Sequence, residues 1–267
     1  MNKINELLNR QNANTGQPID ENERTNRQVE SFNNAQNPPD TITGYDCPIC
    51  KNNRVIAYNK NGAFYTHPCE CEKIRTSIKN LKNSGLGAVD KNTFENYSTT
   101  EQWQQDILFK AQQFASAPLG GWFFIGGQVG AGKTHIGKAI AYEYIKKGIF
   151  VKYLEWKKDI QHLNALANTP EYEKAFNEFV VPPVLYIDDF LKISNGTPLP
   201  GAINRASDLI YARYNQTDTT VIISSELTIG KIIDIDEGMG SRIVEKTKTF
   251  DSLITLNPDK NKNYRLK

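Results

Sequence analysis

The chain has 267 residues, of which 39% are hydrophobic and 23% charged, with a mean hydropathy of −0.55. That suffices for one large domain, or a medium domain with a small one. Thirty-two Lys and Arg face thirty Asp and Glu, a net charge of +2, so bulk charge makes no case for a nucleic-acid binder. No run nears the roughly 18–20 apolar residues of a membrane span, and MNKINELLNRQNANTGQ lacks the apolar stretch of a signal peptide. The expected setting is a reducing cytoplasm, with no membrane partner.

Residues 1–40 carry ten asparagines, four glutamines and a net charge of −2. Two short helices are expected near 4–9 and 21–33, with thin apolar stripes: Ile4, Leu7 and Leu8 in one, Val29 and Phe32 in the other. Such a segment reads as a disordered arm, or as an arm that folds on a protein partner.

Residues 41–84 hold all four cysteines and a net charge of +4. Between Cys47-Pro48-Ile49-Cys50 and Cys69-Glu70-Cys71, residues 55–58 and 64–66 alternate like a hairpin turned at Asn61-Gly62. Ile74, Ile78 and Leu81 follow at helical spacing, and Gly85 is a stop signal. Residues 85–100 read as a linker.

From 101 to 267 strands and helices alternate. A first helix carries Ile107, Leu108, Ala111, Phe114 and Ala115 on one side. Strands are expected at 122–125, 150–154, 184–187, 220–224 and 250–256. Helices are expected at 133–147, 157–167, after Thr169-Pro170, at 202–214 and around 229–246. Apolar strands separated by helices predict an α/β fold, a parallel sheet covered on both faces.

The chemistry concentrates at strand ends. Gly127-Gln128-Val129-Gly130-Ala131-Gly132-Lys133-Thr134 matches the phosphate-binding loop G-x-x-x-x-G-K-[ST], after an apolar strand and before a helix. Its backbone can wrap phosphate oxygens, Lys133 reaches the β- and γ-phosphates, and Thr134 ligates Mg²⁺. The strand 184–187 delivers Asp188 and Asp189. Asp188 is the expected Mg²⁺ ligand, and Asp189 the group that polarises the attacking water. Ser225 or Glu226, after the strand 220–224, can sense the γ-phosphate; Ser-Ser-Glu is equally a helix-start signal. Arg242, in Gly240-Ser241-Arg242-Ile243, fits an arginine finger presented to a neighbouring subunit.

The C-x₂-C and C-x-C pairs, eighteen residues apart, suit tetrahedral zinc held by Cys47, Cys50, Cys69 and Cys71. About forty residues build little core, so metal would supply much of the folding free energy. His67 is an alternative to one of the last two cysteines, and redox cysteines are a second alternative. Lys51, Arg54, Lys60, Lys73, Arg75, Lys79 and Lys82, interleaved with Tyr58, Phe64 and Tyr65, suit single-stranded nucleic acid. A solvated surface around a tiny aromatic core is the plainer reading.

These motifs together resemble the replicative-helicase loaders, the DnaC/DnaI-like group of AAA+ ATPases related to the IstB helper ATPases. The cysteine module resembles the zinc-binding N-terminal domain of the DnaI-like branch. Lys91-Asn92-Thr93-Phe94-Glu95-Asn96-Tyr97 resembles the stretch leading into the family's ATPase core, and Asn263-Tyr264-Arg265-Leu266 its usual ending. The resemblance covers roughly residues 45–267. It implies an ATPase using ATP, Mg²⁺ and Zn²⁺ that binds a DnaB-type helicase hexamer through its N-terminal part. It also implies self-association through the AAA+ interface and loading of the helicase onto single-stranded DNA. Lys157 and Lys158 then start the helix that faces DNA. Glu226 stands where most relatives carry asparagine, and Asp189 replaces the glutamate common in other AAA+ proteins, which implies slow hydrolysis. Past the last helices Arg265 is the one remaining arginine, and no residue there matches a second sensor.

Two rival readings share the motifs. One is an IstB-like transposition helper that marks target DNA. The other is a non-catalytic AAA+ regulator or inhibitor of host helicase machinery. With about a dozen residues after the last strand, a helix-turn-helix reader is not expected.

Overall fold

The computed structural model describes residues 20–87, 91–194, 197–198 and 201–266. They fall into two compact units that divide after Arg75. The helix expected near 4–9 lies outside the described residues.

In the first unit, α1 (Glu21–Asn34) precedes the hairpin of β1 (Val55–Lys60) and β2 (Ala63–Pro68). The strands pair antiparallel with Tyr58 opposite Tyr65. Asn61 and Gly62 both take positive φ (55° and 80°), the geometry a two-residue hairpin turn demands. Helix α1 is not a free arm, and no division falls at residue 40. Its Asn33 side chain accepts from Ala57 N (2.8 Å) and donates to Ala57 O (2.9 Å). Thr25 donates to Gly62 O at 2.6 Å, and Phe32 meets Phe64 edge-on at 5.6 Å. Helix α2 (Cys71–Ser84) ends at Gly85, which takes a left-handed φ of 83°.

The second unit is built on five parallel strands in the order β4 (Val151–Glu155), β5 (Val184–Asp188), β8 (Thr220–Ser225), β3 (Trp122–Gly127), β9 (Leu253–Leu256). Alternation along the strands feeds two cores. Phe123, Ile125, Val184, Tyr186 and Ile222 face one side, where α3 (Gln102–Ser116) and α4 (Lys133–Lys146) pack. Trp122, Phe124, Leu185, Ile187, Val221 and Ile223 face the other. There α5 (Trp156–Ala165), α6 (Glu171–Val180), α7 (Ala202–Tyr214), α8 (Ile229–Ile235) and α9 (Glu237–Lys248) close the layer. This is the α/β arrangement, a parallel sheet covered on both faces, expected from the strand–helix alternation. Two short strands, β6 (Ile193–Ser194) and β7 (Thr197–Pro198), interrupt the loop after β5.

The stretch expected as a linker is partly core. Leu86, Phe94 and Tyr97 are buried in the first of these layers. Tyr97 sits edge-on to His135 at 5.3 Å, and Thr93 O lies 2.7 Å from His135 Nε2. Isolated aromatics in a polar stretch carry no period, so sequence pattern does not reveal their burial.

Candidate nucleotide site and metal centre

Strand β3 runs into the loop at Gly127, and α4 opens at Lys133. Gly130 holds φ at 74°, and a Cβ there would lie 1.9 Å from Asn263 Oδ1. No side chain fits. The N-terminus of a fourteen-residue helix faces the loop and favours anions. Lys133 is buried, and its Nζ donates to Gly127 O (2.9 Å) and Gln128 O (2.7 Å). Burial pulls its pKa down, opposed by the charges of Glu226, Asp189 and Asp188, while Arg265 adds to the lowering.

Asp188 ends β5 and is buried. Its Oδ1 accepts from Thr134 Oγ1 (3.0 Å), Tyr186 OH (2.9 Å) and Ser224 Oγ, and its Oδ2 from Tyr153 OH (3.0 Å). Four hydroxyls thus fix one carboxylate beside the loop. Burial, with the Asp188 charge behind it, raises the pKa of both tyrosines, so they stay neutral donors. Thr134 and Asp188 are hard oxygen ligands in contact and can hold Mg²⁺ between them.

Asp189 takes a positive φ of 57°, which turns its side chain away from that of Asp188. Its Oδ2 pairs with Lys192 Nζ at 2.7 Å, and Lys192 lies 3.5 Å from Glu226 Oε1. The hydrogen bond that Lys192 donates to Asp189 leads in raising the Lys192 pKa, so this is an ion pair. Lys133, Thr134, Asp189, Glu226 and Arg265 line one cleft over the loop, together with Val129, Gly130 and Gly132.

Ser225 is not part of that cleft. It is fully buried, donates to Phe190 O (2.7 Å) and accepts from Leu227 N (3.0 Å). Strand alternation turns Ser225 toward Val221 and Ile223, and Ser224 toward Asp188. The serine that meets the site is one residue earlier than the expected candidate. Arg242 sits over the rings of Tyr211 (4.2 Å to the centroid) and Tyr214 (5.2 Å), and donates to Gly238 O at 2.7 Å. It does not line its own chain's cleft, as a finger directed at a neighbour need not. Lys157 and Lys158 are exposed on the first turn of α5 and do not line the cleft over the phosphate loop. Lys158 borders a separate recess with Tyr153, His162 and Glu178.

Four groups escaped sequence reasoning: Ser224, Tyr153, Tyr186 and Arg265. Tyr186 stands two residues before Asp188 on a strand, so the two side chains share a face, a signal available from the sequence. No local signal marks Arg265, whose return to the cleft is a tertiary event.

In the first unit the Sγ atoms of Cys47, Cys50, Cys69 and Cys71 all lie within 4.8 Å of one another, and none is in a disulfide. The cross-pair distances are 3.9 Å for Cys47–Cys69 and 3.5 Å for Cys50–Cys71. Tetrahedral zinc at its usual bond length to sulfur sets edges of about 3.8 Å, so the four cysteines fit that ion. Burial pushes the Cys71 thiol up to about 12. At Cys47 burial is outweighed by the amides of Cys50 and Ile49, and the value falls to about 7. Four buried sulfurs this close carry thiolate charge together only around a cation. Asn52 organises the first turn, accepting from Cys47 N (2.9 Å) and from Arg75 Nη2 (2.7 Å). His67 is exposed, beside the Tyr58 ring and with Nδ1 3.1 Å from Pro68 O, and stands outside the sulfur cluster. Metal analysis of purified protein is expected to show near one zinc per chain for wild type and His67→Ala, and none for Cys50→Ser. Zinc lost from His67→Ala alone would move the ligand to the histidine.

Comparison with known proteins matches residues 121–253 to the family of IstB-like ATP binding proteins. The uncharacterized protein YqaM of Bacillus subtilis (strain 168) is 29% identical over 207 residues, which are 71% of this chain and 64% of YqaM. The chain thus spans just under two thirds of that relative. The phage-like element PBSX protein XkdC of Bacillus subtilis is 26% identical over 232 residues, 77% of this chain and 81% of its own. Among solved structures, the replication initiator DnaA bound to AMPPCP and single-stranded DNA shares the fold at a TM-score of 0.52 and 20% identity, over 63% of this chain and 50% of DnaA. DnaI shares it at 0.50 and 13% identity, over 66% and 92%. Among the described residues no helix is long and apolar enough to cross a membrane.

Proposed function

We propose that this chain, whose residues 121–253 form an IstB-like ATP-binding domain in the AAA+ P-loop fold, is an ATPase that loads a DnaB-type replicative helicase onto single-stranded DNA. One observation carries the nucleotide half of this reading. Lys133 and Thr134 of the loop converge with Asp188 at the end of β5 and Asp189 just after it, and four hydroxyls aim at the Asp188 carboxylate. The loader half rests on the four-cysteine unit that precedes this site, and on the motif resemblance set out from the sequence.

In this reading the amides of the loop 127–132 and Lys133 hold the phosphates, and Thr134 with Asp188 binds Mg²⁺. The ion would neutralise charge on the β- and γ-phosphates. Lys192 engages Asp189 Oδ2, and Oδ1 is the oxygen assigned to the attacking water. Water attacks the γ-phosphorus in line, the bond to the β–γ bridging oxygen breaks, and ADP and phosphate leave. Glu226, across Lys192 from Asp189, is assigned to sensing the terminal phosphate. Arg242 is assigned to a neighbouring subunit's nucleotide, which requires self-association. Lifting it off Tyr211 and Tyr214 is then part of assembly. Lys157 and Lys158 are the DNA contacts, and the unit around Cys47, Cys50, Cys69 and Cys71 is the zinc-bearing helicase contact.

The full chain is expected to co-elute with the host's DnaB-type hexamer in ATP and to place it on single-stranded DNA. Co-elution absent in ATP, in ADP and without nucleotide would end the loader reading. The IstB-like match favours one second reading, a transposition helper. Capture of the neighbouring transposase in place of the helicase would select it.

A further inference from the structure

We propose that Lys192 is a positioning residue for ATP hydrolysis. Its ammonium joins the Asp189 and Glu226 carboxylates into one ion cluster, so the terminal phosphate meets a single net negative charge there, and Asp189 is held with one oxygen free for water. The inference rests on the nucleotide reading above and deepens it, giving Lys192 a part in telling ATP from ADP.

A strained turn builds the cluster. Asp189 and Leu191 both take left-handed φ, 57° and 54°, which is uncommon for Asp and exceptional for a bulky residue such as Leu. Such strain persists only where the surroundings enforce it, and it gathers at functional sites. Here Phe190 and Leu191 are fully buried in the second of the two cores, and the Phe190 ring meets Trp156 edge-on at 4.8 Å. Phe190 N donates to Ser224 O (2.8 Å), and Ser225 Oγ donates to Phe190 O (2.7 Å). The turn after β5 is thereby pinned to the end of β8, which brings Asp189 and Glu226 within reach of one ammonium. Lys192 N donates to Asp189 O at 2.9 Å and closes the turn. Its Nζ then donates to Asp189 Oδ2 at 2.7 Å and lies 3.5 Å from Glu226 Oε1. Buried Ser225 thus serves the site as a strut, without facing the nucleotide.

Asp189 and Glu226 line the cleft with Lys133, and Lys192 does not, so Lys192 acts on the nucleotide through the two carboxylates. The Lys192, Asp189 and Glu226 side chains are 36%, 36% and 32% exposed, so water screens their charges only in part. Two like charges this close stay ionised together most readily around a cation. Left unpaired, they would repel an incoming triphosphate and compete with it for Lys133. Burial dominates at Lys133, and of the charges acting on it Glu226 is felt most and Asp189 next. Lys192 engages both carboxylates and so leaves Lys133 to the phosphates. A diphosphate lacks the group nearest the pair, so the effect falls on ATP more than on ADP.

The test combines equilibrium binding of fluorescent ATP and ADP analogues, with Mg²⁺, and steady-state ATP turnover. It uses the full-length wild type, Lys192→Met, Lys192→Arg and the double variant Lys192→Met with Glu226→Gln. Lys192→Met should weaken the triphosphate about tenfold and the diphosphate less than about threefold. Its kcat should fall about tenfold or more, because Asp189 is no longer held. Lys192→Arg should keep most of both. The double variant should regain triphosphate affinity, since one carboxylate charge is gone, while kcat stays low. Wild-type affinities and kcat in Lys192→Met would overturn the proposal alone and leave the nucleotide site standing. Equal weakening of both nucleotides, unrelieved by Glu226→Gln, would overturn it as well and leave Lys192 a residue that only stabilises the turn. A wild type that binds neither nucleotide would overturn both this inference and the reading beneath it.

Discussion

Lys133→Ala should lower ATP turnover, measured with single-stranded DNA present, by roughly 10²–10³-fold, the range for a preorganised charge-stabilising group. The expectation follows from where the ammonium sits. It is buried beneath the loop, within hydrogen-bond reach of two loop carbonyls, and helix α4 begins on it. Burial has already removed much of its water, so attraction to phosphate is little screened. Alanine leaves the cleft facing Asp189 and Glu226 without that charge. Asp188→Asn should act on the same step by a different route. It keeps an acceptor for Tyr186 and Ser224 but removes the charge that Mg²⁺ requires. Circular dichroism matching wild type would assign both losses to chemistry. Turnover equal to wild type in Lys133→Ala would remove the enzyme claim and leave a non-catalytic regulator.

The second large effect is on stability. Arg213 on α7 is fully buried. Its guanidinium donates to the carbonyls of Val180, Pro182, Pro183 and Thr220. Val180 is the last residue of α6, whose final carbonyls have no partner within the helix. The two prolines supply carbonyls and no N–H. One side chain therefore satisfies the junction of α6, β5 and β8. Burial lowers its pKa to about 10, still far above neutral, so the group remains a cation. Arg213→Met is expected to cost about 3–5 kcal/mol, as for removing one member of a buried polar cluster. The thermal transition of the second unit should fall by about 10 °C. Arg213→Lys should recover only part, because an ammonium cannot span four carbonyls. An unchanged transition in Arg213→Met would show that water serves the carbonyls equally well.

Arg213 also shows where sequence reading stops. As a lone arginine on an amphipathic helix it reads as a surface charge, and only the meeting of a helix end with two prolines gives it a purpose. The phosphate loop, the strand before it and Asp188-Asp189 were legible because their chemistry is local: glycines, a lysine and carboxylates at fixed offsets around apolar runs. The family match over 121–253 bears out the resemblance drawn from those motifs. The parallel sheet was legible for the same reason, since each strand is a short apolar run between helical periods. Ser224 and Ser225 differ by one residue of strand parity, which the sequence Ile-Ser-Ser-Glu leaves open. Helix α1 was expected near 21–33, but its docking was hidden for another reason. It docks through asparagines: Asn33 on Ala57, and Asn22 and Asn26 on Asn59. Hydrophobic periodicity has no way to register an interface made of side-chain amides.

That helix changes what the four-cysteine unit presents at a distance. Counted over residues 20–75, seven basic side chains stand against eight acidic ones, and four thiolates around one zinc add two more negative charges. The basic surplus of residues 41–84 is thereby cancelled. A phosphate backbone drifting toward this unit meets faint repulsion, felt within about 8 Å at physiological ionic strength. A lysine- and arginine-rich protein surface is drawn inward over the same range. At this unit, long-range forces therefore favour a basic protein surface over a phosphate backbone before any contact forms.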